Sequence, residues 1–541
     1  MANFIDKYKK DFQQVSQIDR EIRQYIVKSH NDDFHEVLSK TNNWYVFLQL
    51  SKLRRALLSW YEFKSQADIL EIAAGFGTLT GFLCEVAREV TVAERSTFRA
   101  KSIVERYKNL KNLEVYAGDF CEIVFEKKFD YIILSGILEL QGEGKAEKKP
   151  YIEYLKKAKY LLKPGGKLLL AIENRYGLKY FCGEVEPYTK EFFAGINKYP
   201  ELSRGYCFDR QEIISILEKA ELSDYKFYYP VPDYKLPQVI YSENHLPGQE
   251  LRERIIPYYN SNSIIASESL LYSDIVRNNV FPFFANSFFI ECGTKIDFCP
   301  VDYAAITIDR GLETSFITSI YGERFVKKQP LYKEGEYGLW KLQKQMQDLG
   351  KRQIKTVSTE LKNKALYMPY IKALTLADYL RSLTIKDKDE IFCIFDKLWM
   401  HILQSSEITE EIDEELLQYA PKIEWGPVLK CAYLEMIPMN CFYKNKEMIF
   451  FDQEFVKMNY PAKYPMFRAI AFIYQELKDI VSLEELRQRY KIDEKLWSNF
   501  ALIESQFFSE LRNTDVYHQF YSKRENPERI KKNRTIMSLL N

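Results

Sequence analysis

Small residues and an acid follow the first two predicted strands, at a spacing suited to holding a nucleoside. A turn containing Ala73, Gly75 and Gly77 comes directly after the apolar strand that begins at Asp68. Such a turn needs small residues, because a Cβ would block the approach of the main chain to a ligand. Glu94 ends the next strand, about twenty residues further on, where a carboxylate can accept hydrogen bonds from both hydroxyls of a ribose.

A carboxylate and a ring follow the third predicted strand. Asp119 can accept from the amino group of an adenine, and Phe120 can stack on the base. A nicotinamide dehydrogenase is the rival interpretation of the glycine turn. Its pattern of three glycines fails here, because Leu79, Thr80 and Gly81 follow Gly77 with the wrong phase.

With Glu71 before the turn and the sequence Lys163-Pro164-Gly165-Gly166 after a predicted helix, these features resemble the class I S-adenosylmethionine (SAM) methyltransferases. The resemblance covers residues 68–182 well and continues more loosely to about residue 293. It implies an α/β, Rossmann-like domain that uses SAM as its cofactor. The implied cofactor-binding residues are Glu71, Ala73, Gly75, Gly77, Glu94, Asp119 and Phe120. Glu71 also has a structural interpretation, in which it holds the turn, and the Lys163 sequence is better interpreted as a chain reversal.

The alternation of strands and helices after residue 68 predicts a parallel sheet with helices on both faces. We predict a helical segment over residues 1–64, the methyltransferase domain over 65–297 with an acceptor-side insertion at about 232–282, a kinase-like domain over 298–500 and a helical, basic tail over 501–541. Another predicted helix begins near Arg210, with Asp209 as its N-cap and Glu212 three residues later.

The acceptor of the methyl group is expected at the loop after the fifth strand, because ligands bind at the carboxyl ends of parallel strands. There Arg175 is a candidate clamp for a phosphate or carboxylate, and the alternative is a helix-capping loop with a solvated arginine. A hydroxyl acceptor would need a base, for which Glu173 and His245 are candidates. The Tyr- and Pro-rich stretch 228–235 either lines a sugar site or forms a rigid turn.

The C-terminal half contains residue types that carry out phosphoryl transfer. An acid, Glu435, lies five residues before Asn440, and an apolar strand ends twelve residues later in Asp452. This spacing resembles the aminoglycoside and choline kinase branch of the protein-kinase-like fold. The resemblance implies ATP and Mg²⁺ as ligands, with Lys328 on the phosphates, Asn440 and Asp452 on the metal, and Glu435 in the place of the catalytic aspartate. The alternative is a kinase-shaped docking domain without activity.

Composition excludes some classes of partner. Lys and Arg number 77 against 76 for Asp and Glu, so the chain has no field suited to attracting nucleic acid. Nine scattered cysteines and no secretory signal predict a cytoplasmic protein with reduced thiols. The basic sequence Arg524 to Arg534 predicts contact with the inner membrane face or with a glycosyltransferase, against the simpler interpretation of a solvated helix face.

A methyltransferase followed by a kinase-like domain resembles the bifunctional enzymes that terminate bacterial O-antigen chains. The resemblance implies methylation of a glycan, or of a phosphate on a glycan, during surface polysaccharide synthesis. Two alternatives stay open: an O-methyltransferase for a small metabolite with a structural pseudokinase domain, and an assembly factor that binds SAM without catalysis.

Overall fold

The chain, here a computed structural model, forms two compact units, and each is described by itself. The first comprises Met1–Asp309 and Asp515–Asn541, and the second comprises Arg310–Thr514. The structure describes residues 2–8, 15–29, 32–200, 203–248, 250–251, 263–419, 424–513 and 516–522. We predicted a boundary near residue 297, and the chain divides after Asp309.

The first unit is built on a mixed sheet of ten strands. In chain order these are β1 Asn3–Tyr8, β2 Asp68–Ile72, β3 Glu89–Glu94, β4 Leu113–Gly118, β5 Phe129–Ser135, β6 Leu162–Glu173, β7 Asp224–Val231, β8 Val239–Ser242, β9 Ser287–Gly293 and β10 Tyr303–Ile306. Their spatial order is β1-β4-β3-β2-β5-β6-β9-β7-β8-β10. The strands from β1 to β6 run parallel to their neighbours, whereas β9 runs antiparallel between β6 and β7.

The position of β9 bears on the rival interpretation. In the dinucleotide-binding fold the sixth strand continues the parallel sheet directly beside the fifth. Here an antiparallel strand separates β6 from β7. The sheet therefore differs from that of a nicotinamide dehydrogenase, in agreement with the failed glycine pattern.

Among the described residues of the first unit, ten helices precede the last strand. They are α1 Gln17–Lys28, α2 His35–Lys40, α3 Trp44–Leu50, α4 Thr80–Val86, α5 Thr97–Arg106, α6 Lys149–Tyr160, α7 Leu178–Phe181, α8 Arg210–Lys219, α9 Glu268–Arg277 and α10 Phe281–Phe284. The predicted N-cap of α8 is confirmed, since Asp209 and Glu212 form a reciprocal capping box. All five residues of β2 are buried, as expected for a strand covered on both faces.

Two sequence-based predictions for this unit are wrong in detail. Residues 1–64 are not helical throughout, because β1 adds a parallel strand at the edge of the sheet beside β4. The predicted chain reversal at Lys163–Gly166 lies inside β6 instead. There the register against β5 shifts, and Gly165 takes a φ of +70°. The strand therefore continues through a local irregularity that glycine tolerates.

The second unit contains three small antiparallel sheets and eight helices among its described residues. Its strands are β11 Phe316–Tyr321, β12 Phe325–Pro330, β13 Glu360–Lys362, β14 Ala365–Pro369, β15 Leu374–Thr375, β16 Ile408–Thr409, β17 Val428–Tyr433, β18 Cys441–Lys444, β19 Glu447–Phe450 and β20 Val456–Pro461. Its helices are α11 Glu336–Lys351, α12 Leu376–Arg381, α13 Lys388–Gln404, α14 Glu414–Tyr419, α15 Lys463–Ala471, α16 Tyr474–Leu477, α17 Leu483–Arg489 and α18 Glu494–Asn513. The strand orders are β11-β12-β14-β13, β15-β18-β19 and β16-β17-β20.

The last helix, α19 Val516–Ser522, belongs to the first unit, where Phe520 stacks on Phe47 of α3 with ring centroids 4.2 Å apart. The predicted basic sequence Arg524 to Arg534 lies outside the described residues. Over the described part of the chain, no helix has both the length and the apolar character needed to cross a bilayer.

Candidate cofactor and acceptor site

A pocket of about 460 Å³ opens at the carboxyl ends of β2, β3, β4 and β5 in the first unit. The sheet order reverses between β2 and β5, and ligands of open α/β sheets bind at such a switch point. The volume is within the range typical of small-molecule sites. Six of the seven predicted cofactor residues line the pocket, namely Glu71, Ala73, Gly75, Glu94, Asp119 and Phe120.

The turn after β2 owes its shape to residues with left-handed backbone. Ala73 has a φ of +59° and Gly75 a φ of +61°, a region in which residues with a Cβ are strained. A Cβ on Gly75 would also lie 2.8 Å from the side-chain oxygen of Gln49. Gly77 does not line the pocket: its carbonyl accepts a hydrogen bond from the Tyr107 hydroxyl at 2.9 Å. Gly77 therefore fixes the turn against α5 rather than contacting a cofactor.

Glu94 links the end of β3 to that turn. Its Oε2 accepts from the Gly75 amide at 2.9 Å, and its Oε1 accepts from the Ser96 amide at 2.9 Å. Burial raises the pKa of Glu94, while the two amide donors act in the opposite direction. Each carboxylate oxygen has a second lone pair, so the carboxylate can also accept from ribose hydroxyls.

Glu71 has a structural contact of its own. Its Oε2 accepts from the Thr80 hydroxyl in α4 at 2.5 Å, and burial raises its pKa to about 7. The bond joins the end of β2 to α4, the helix that follows the glycine turn. Glu71 therefore has the predicted structural role of holding the turn, and its side chain also lines the pocket.

Asp119 and Phe120 form the wall at the end of β4. Asp119 Oδ1 accepts from the Cys121 amide at 2.9 Å, and Oδ2 lies 3.5 Å from Arg95 Nε. Phe120 is buried and packs edge-on against Tyr154, with ring centroids 5.1 Å apart. The wall thus combines a fixed acceptor with an aromatic face, the pair needed to hold an adenine.

Four pocket residues, Leu48 and the three described next, come from the N-terminal segment, and the sequence analysis did not identify them. Tyr45 and Gln49 of α3 and Arg54 of the following 3₁₀ helix line the pocket. Gln49 Oε1 accepts from the Phe76 amide at 3.2 Å, and its carbonyl accepts from Thr78 at 2.9 Å. No spacing rule connects this segment to the glycine turn, because the contact is long-range and made by single side chains.

Arg54 is a buried cation whose hydrogen bonds go to neutral groups. It donates to the carbonyls of Tyr234 and Lys235 at 3.1 and 2.5 Å and to the Ser135 hydroxyl at 3.2 Å. Burial lowers its pKa. A guanidinium with these neutral partners can still attract a ligand carboxylate or phosphate.

The other end of the pocket lies between the loops after β5 and β7. Tyr234 and Lys235 line this acceptor end, together with Gly136 and Ile137. Gly136 has a φ of +66°, and a Cβ there would lie 2.5 Å from the Tyr234 hydroxyl oxygen. The stretch 228–235 therefore contributes its last two residues to the pocket.

The structure does not support Glu173 as a free general base. Its carboxylate is buried, lies 2.7 Å from Lys179 Nζ and contacts Lys235 Nζ. Although burial opposes it, the charges of the two lysines lower the pKa of Glu173. Glu173 is also absent from the pocket wall, and a carboxylate held in this way is a poor proton acceptor. His245, the other candidate, packs against Tyr303 and is not part of the wall either.

Arg175 is placed away from the pocket, and its guanidinium is already occupied. It contacts Asp209 at 2.6 Å, Glu212 at 3.0 Å and the Tyr206 hydroxyl at 2.6 Å, with the side chain 2% exposed. Asp209 and Glu212 are the capping box of α8, so Arg175 anchors that helix to the end of β6. The prediction of an acceptor clamp at Arg175 is therefore not supported, since the residue is absent from the pocket wall and both of its terminal nitrogens are already paired.

In the second unit, the four residues predicted for phosphoryl transfer lie in two groups of contacts. Lys328 of β12 is buried and contacts Asp452 and Glu454. Asn440 donates to Glu435 at 2.6 Å, and Glu435 also pairs with Arg468 at 3.1 Å. Among the described residues there is no cluster of three or more His, Cys, Asp or Glu able to hold a metal ion.

The comparisons with known proteins cover only part of the chain. No family model matches the chain. A curated protein of Staphylococcus carnosus (strain TM300), described as an uncharacterized methyltransferase, is 29% identical over 175 residues. This match covers 32% of the present chain and 78% of that protein.

Solved structures with weaker similarity are also methyltransferases. The N-methyltransferase NodS of Bradyrhizobium japonicum WM9 is 21% identical over 23% of this chain and 66% of NodS, slightly less than two thirds of its length, with a TM-score of 0.20. A putative methyltransferase of Haloferax volcanii, in complex with the Trm112 activator, is 12% identical over 46% of this chain and 90% of that chain, with a TM-score of 0.29. With TM-scores this low, neither similarity carries an argument about function.

Proposed function

We propose that this protein is a SAM-dependent methyltransferase that acts on a glycan, or on a phosphate carried by a glycan, in surface polysaccharide synthesis. The methyltransferase assignment is supported by the sequence similarity to the Staphylococcus carnosus protein. The single observation that carries it is the contact of Glu94 with Gly75. This contact joins the carboxylate proposed to bind the ribose to the glycine turn, at the switch point of the sheet.

SAM, when bound, supplies a methyl group that passes from its sulfonium to an acceptor atom in line, leaving SAH. The residues of this chain hold the cofactor and orient the acceptor. The turn at Gly75 leaves room for the cofactor tail, Glu94 accepts from the ribose, and Asp119 with Phe120 holds the adenine. Arg54 supplies a cation for the carboxylate of the tail. Alignment of two reactants in a closed pocket is itself a large source of rate enhancement.

The acceptor end favours an oxygen that is already anionic. The two candidate bases do not reach the pocket, and Glu173 is held as a carboxylate by two lysines. A phosphate oxygen needs no base: the new O–CH₃ bond forms as the S–CH₃ bond breaks, and no proton moves. Lys235 lines this end of the pocket and Arg175 does not, so Lys235, whose amine also pairs with Glu173, replaces Arg175 as the proposed contact for the anion.

The test is methyl transfer from radiolabelled SAM to matched acceptors, a short glycan and the same glycan with a terminal phosphate. We expect label on the phosphorylated glycan and much less on the plain one. Transfer to the plain glycan alone would contradict the anionic acceptor. Transfer to small hydroxylated metabolites alone would favour the small-metabolite alternative, and SAM binding without any transfer would favour an assembly factor.

We propose phosphoryl transfer in the second unit as a second activity, which would supply the phosphate. The observation that favours it is the convergence of Lys328, Asp452, Glu435 and Asn440 into the two groups of contacts described above. Asp452 fits this chemistry, because proteins commonly bind Mg²⁺ through one or two carboxylates together with substrate phosphates.

A thermal-shift titration with ATP and Mg²⁺ tests this second activity, since a ligand that binds the folded state raises the melting temperature. We expect a rise for the wild type and none for Asp452→Asn. Asp348→Asn, which alters a surface ion pair in the same unit, serves as the control and should respond like the wild type. No response of the wild type to ATP would mean that the second unit is a pseudokinase or a scaffold.

A further inference from the structure

A second cavity, of about 280 Å³, lies in the loop that connects α7 to α8 in the first unit. The loop starts close to the end of β6, on the same edge of the sheet as the cofactor pocket. The cavity is smaller than the roughly 300–1,000 Å³ of sites for drug-sized ligands, so its size suits one small ring. Its walls consist of Tyr188, Thr189, Glu191, Ala194, Tyr199, Pro200, Ser203 and Arg204.

Buried hydrogen bonds hold this cavity in shape. The buried Glu186 accepts from the amides of Tyr188 and Thr189 at 2.8 and 2.7 Å and from the Tyr199 hydroxyl at 3.0 Å. Gly205 lies directly beneath the Tyr188 ring, where a Cβ would come within 2.8 Å of it. Both tyrosine rings are therefore fixed and partly exposed, as a stacking platform requires.

The cavity adjoins the acceptor end of the cofactor pocket. Leu140 and Gln141 line that pocket, and Gly144 of the same loop packs against the Ser203 carbonyl at the cavity. The Tyr206 amide donates to the Glu139 carbonyl at 2.8 Å, which joins the two loops. Burial raises the pKa of the Tyr188 hydroxyl, and the nearby Glu139 acts in the same direction.

The charged groups of the wall cancel. Arg204 and Glu191 are both exposed side chains of opposite sign, and neither forms an ion pair with another described residue. One offers several donors and the other only acceptors, which together match the vicinal hydroxyls of a sugar. A wall without net charge gives no preference for an anion.

We infer that this cavity is a distal acceptor subsite that takes one uncharged pyranose unit of a glycan. The sugar ring stacks on Tyr188 and Tyr199 while its hydroxyls bond to Arg204 and Glu191. The subsite rests on the proposed methyltransferase function and deepens it, because it selects the glycan that brings an acceptor oxygen to the neighbouring pocket. It also explains how the enzyme distinguishes a glycan from a small acceptor.

The experiment is saturation-transfer NMR on the full chain with S-adenosylhomocysteine (SAH) present. The probes are the methyl α-pyranosides of glucose, galactose and mannose, and inorganic phosphate in a parallel titration. We expect at least one pyranoside to bind, and Arg204→Gln and Glu191→Gln each to weaken it about tenfold. Lys198→Gln, which removes a charge from the same loop outside the cavity wall, should leave binding unchanged.

Several results would overturn the subsite: no pyranoside binding, equal binding by Arg204→Gln and the wild type, or Arg204-dependent binding of phosphate alone. SAH reports on the proposed function separately in the same samples. If SAH binds and the pyranosides do not, only the subsite fails. If SAH itself does not bind, the methyltransferase proposal fails.

Discussion

The two ends of the main pocket differ in how their residues are held. At the cofactor end, backbone amides and a short turn fix Glu94 and Gly75. At the acceptor end, the wall residue Lys235 pairs with Glu173, a buried carboxylate that is distant in sequence and lies outside the wall. Residue types at fixed spacing predict local backbone geometry, but they do not predict ion pairs between residues that are distant in sequence. The first end was therefore predictable, and the second was not.

The largest expected effect concerns the cofactor end. Glu94→Ala removes the acceptor of the Gly75 and Ser96 amides and the proposed acceptor of the ribose hydroxyls, a loss of about 3 kcal/mol that should weaken SAH binding at least about 100-fold. Isothermal titration with SAH measures this loss. The matched control is Glu85→Ala, which changes an exposed acid in α4, and this variant should bind SAH like the wild type. Equal binding by both variants would remove Glu94 from the site.

Arg175 and Lys235 are two cations that differ in place, since only Lys235 lines the acceptor end of the pocket. Arg175→Gln breaks a buried pair and should lower the free energy of unfolding by about 3 kcal/mol, without a specific change in acceptor KM. Lys235→Gln should raise acceptor KM about tenfold, because Lys235 lines the acceptor end of the pocket. Denaturant melts and steady-state kinetics measure the two effects. A rise in KM confined to Arg175→Gln would restore the original clamp hypothesis.

The fold was predictable where apolar runs alternate with amphipathic helices. The strands β2 to β6 and the capping box at Asp209 follow directly from such patterns. The edge strand β1 was missed, because six residues with mixed exposure carry no clear period. The wall formed by Tyr45, Gln49 and Arg54 was missed for a different reason: only tertiary packing brings α3 to the glycine turn.

Two glycines with similar backbone conformation differ in what surrounds them. Gly136 and Gly165 both have a left-handed φ, so each change to alanine costs about 1 kcal/mol of backbone strain. A Cβ at Gly165 has nothing within 4 Å, whereas one at Gly136 meets the Tyr234 hydroxyl. We expect Gly136→Ala to lower methyl transfer about tenfold with SAH affinity retained, and Gly165→Ala to retain both. Equal kinetics would mean that Tyr234 does not shape the acceptor end.

The last effect is a pH dependence of stability at the cofactor end. Burial raises the pKa of Glu71 from 4.5 to about 7, so the folded state binds a proton more tightly than the unfolded state. Its contribution to stability is therefore present below pH 4.5 and is lost as the pH rises to 7. Glu71→Gln should gain about 2 kcal/mol relative to the wild type between pH 5 and pH 8. Urea melts at both pH values measure it, and a constant difference would contradict the shift.

The most direct test of the central claim is a calorimetric titration of the wild-type chain with SAH and, separately, with NAD⁺. The pocket at the β2–β5 switch point, with Glu94 tied to Gly75, predicts that SAH binds and that NAD⁺ does not. Binding of NAD⁺ without SAH would contradict the account, and so would the absence of binding by either ligand.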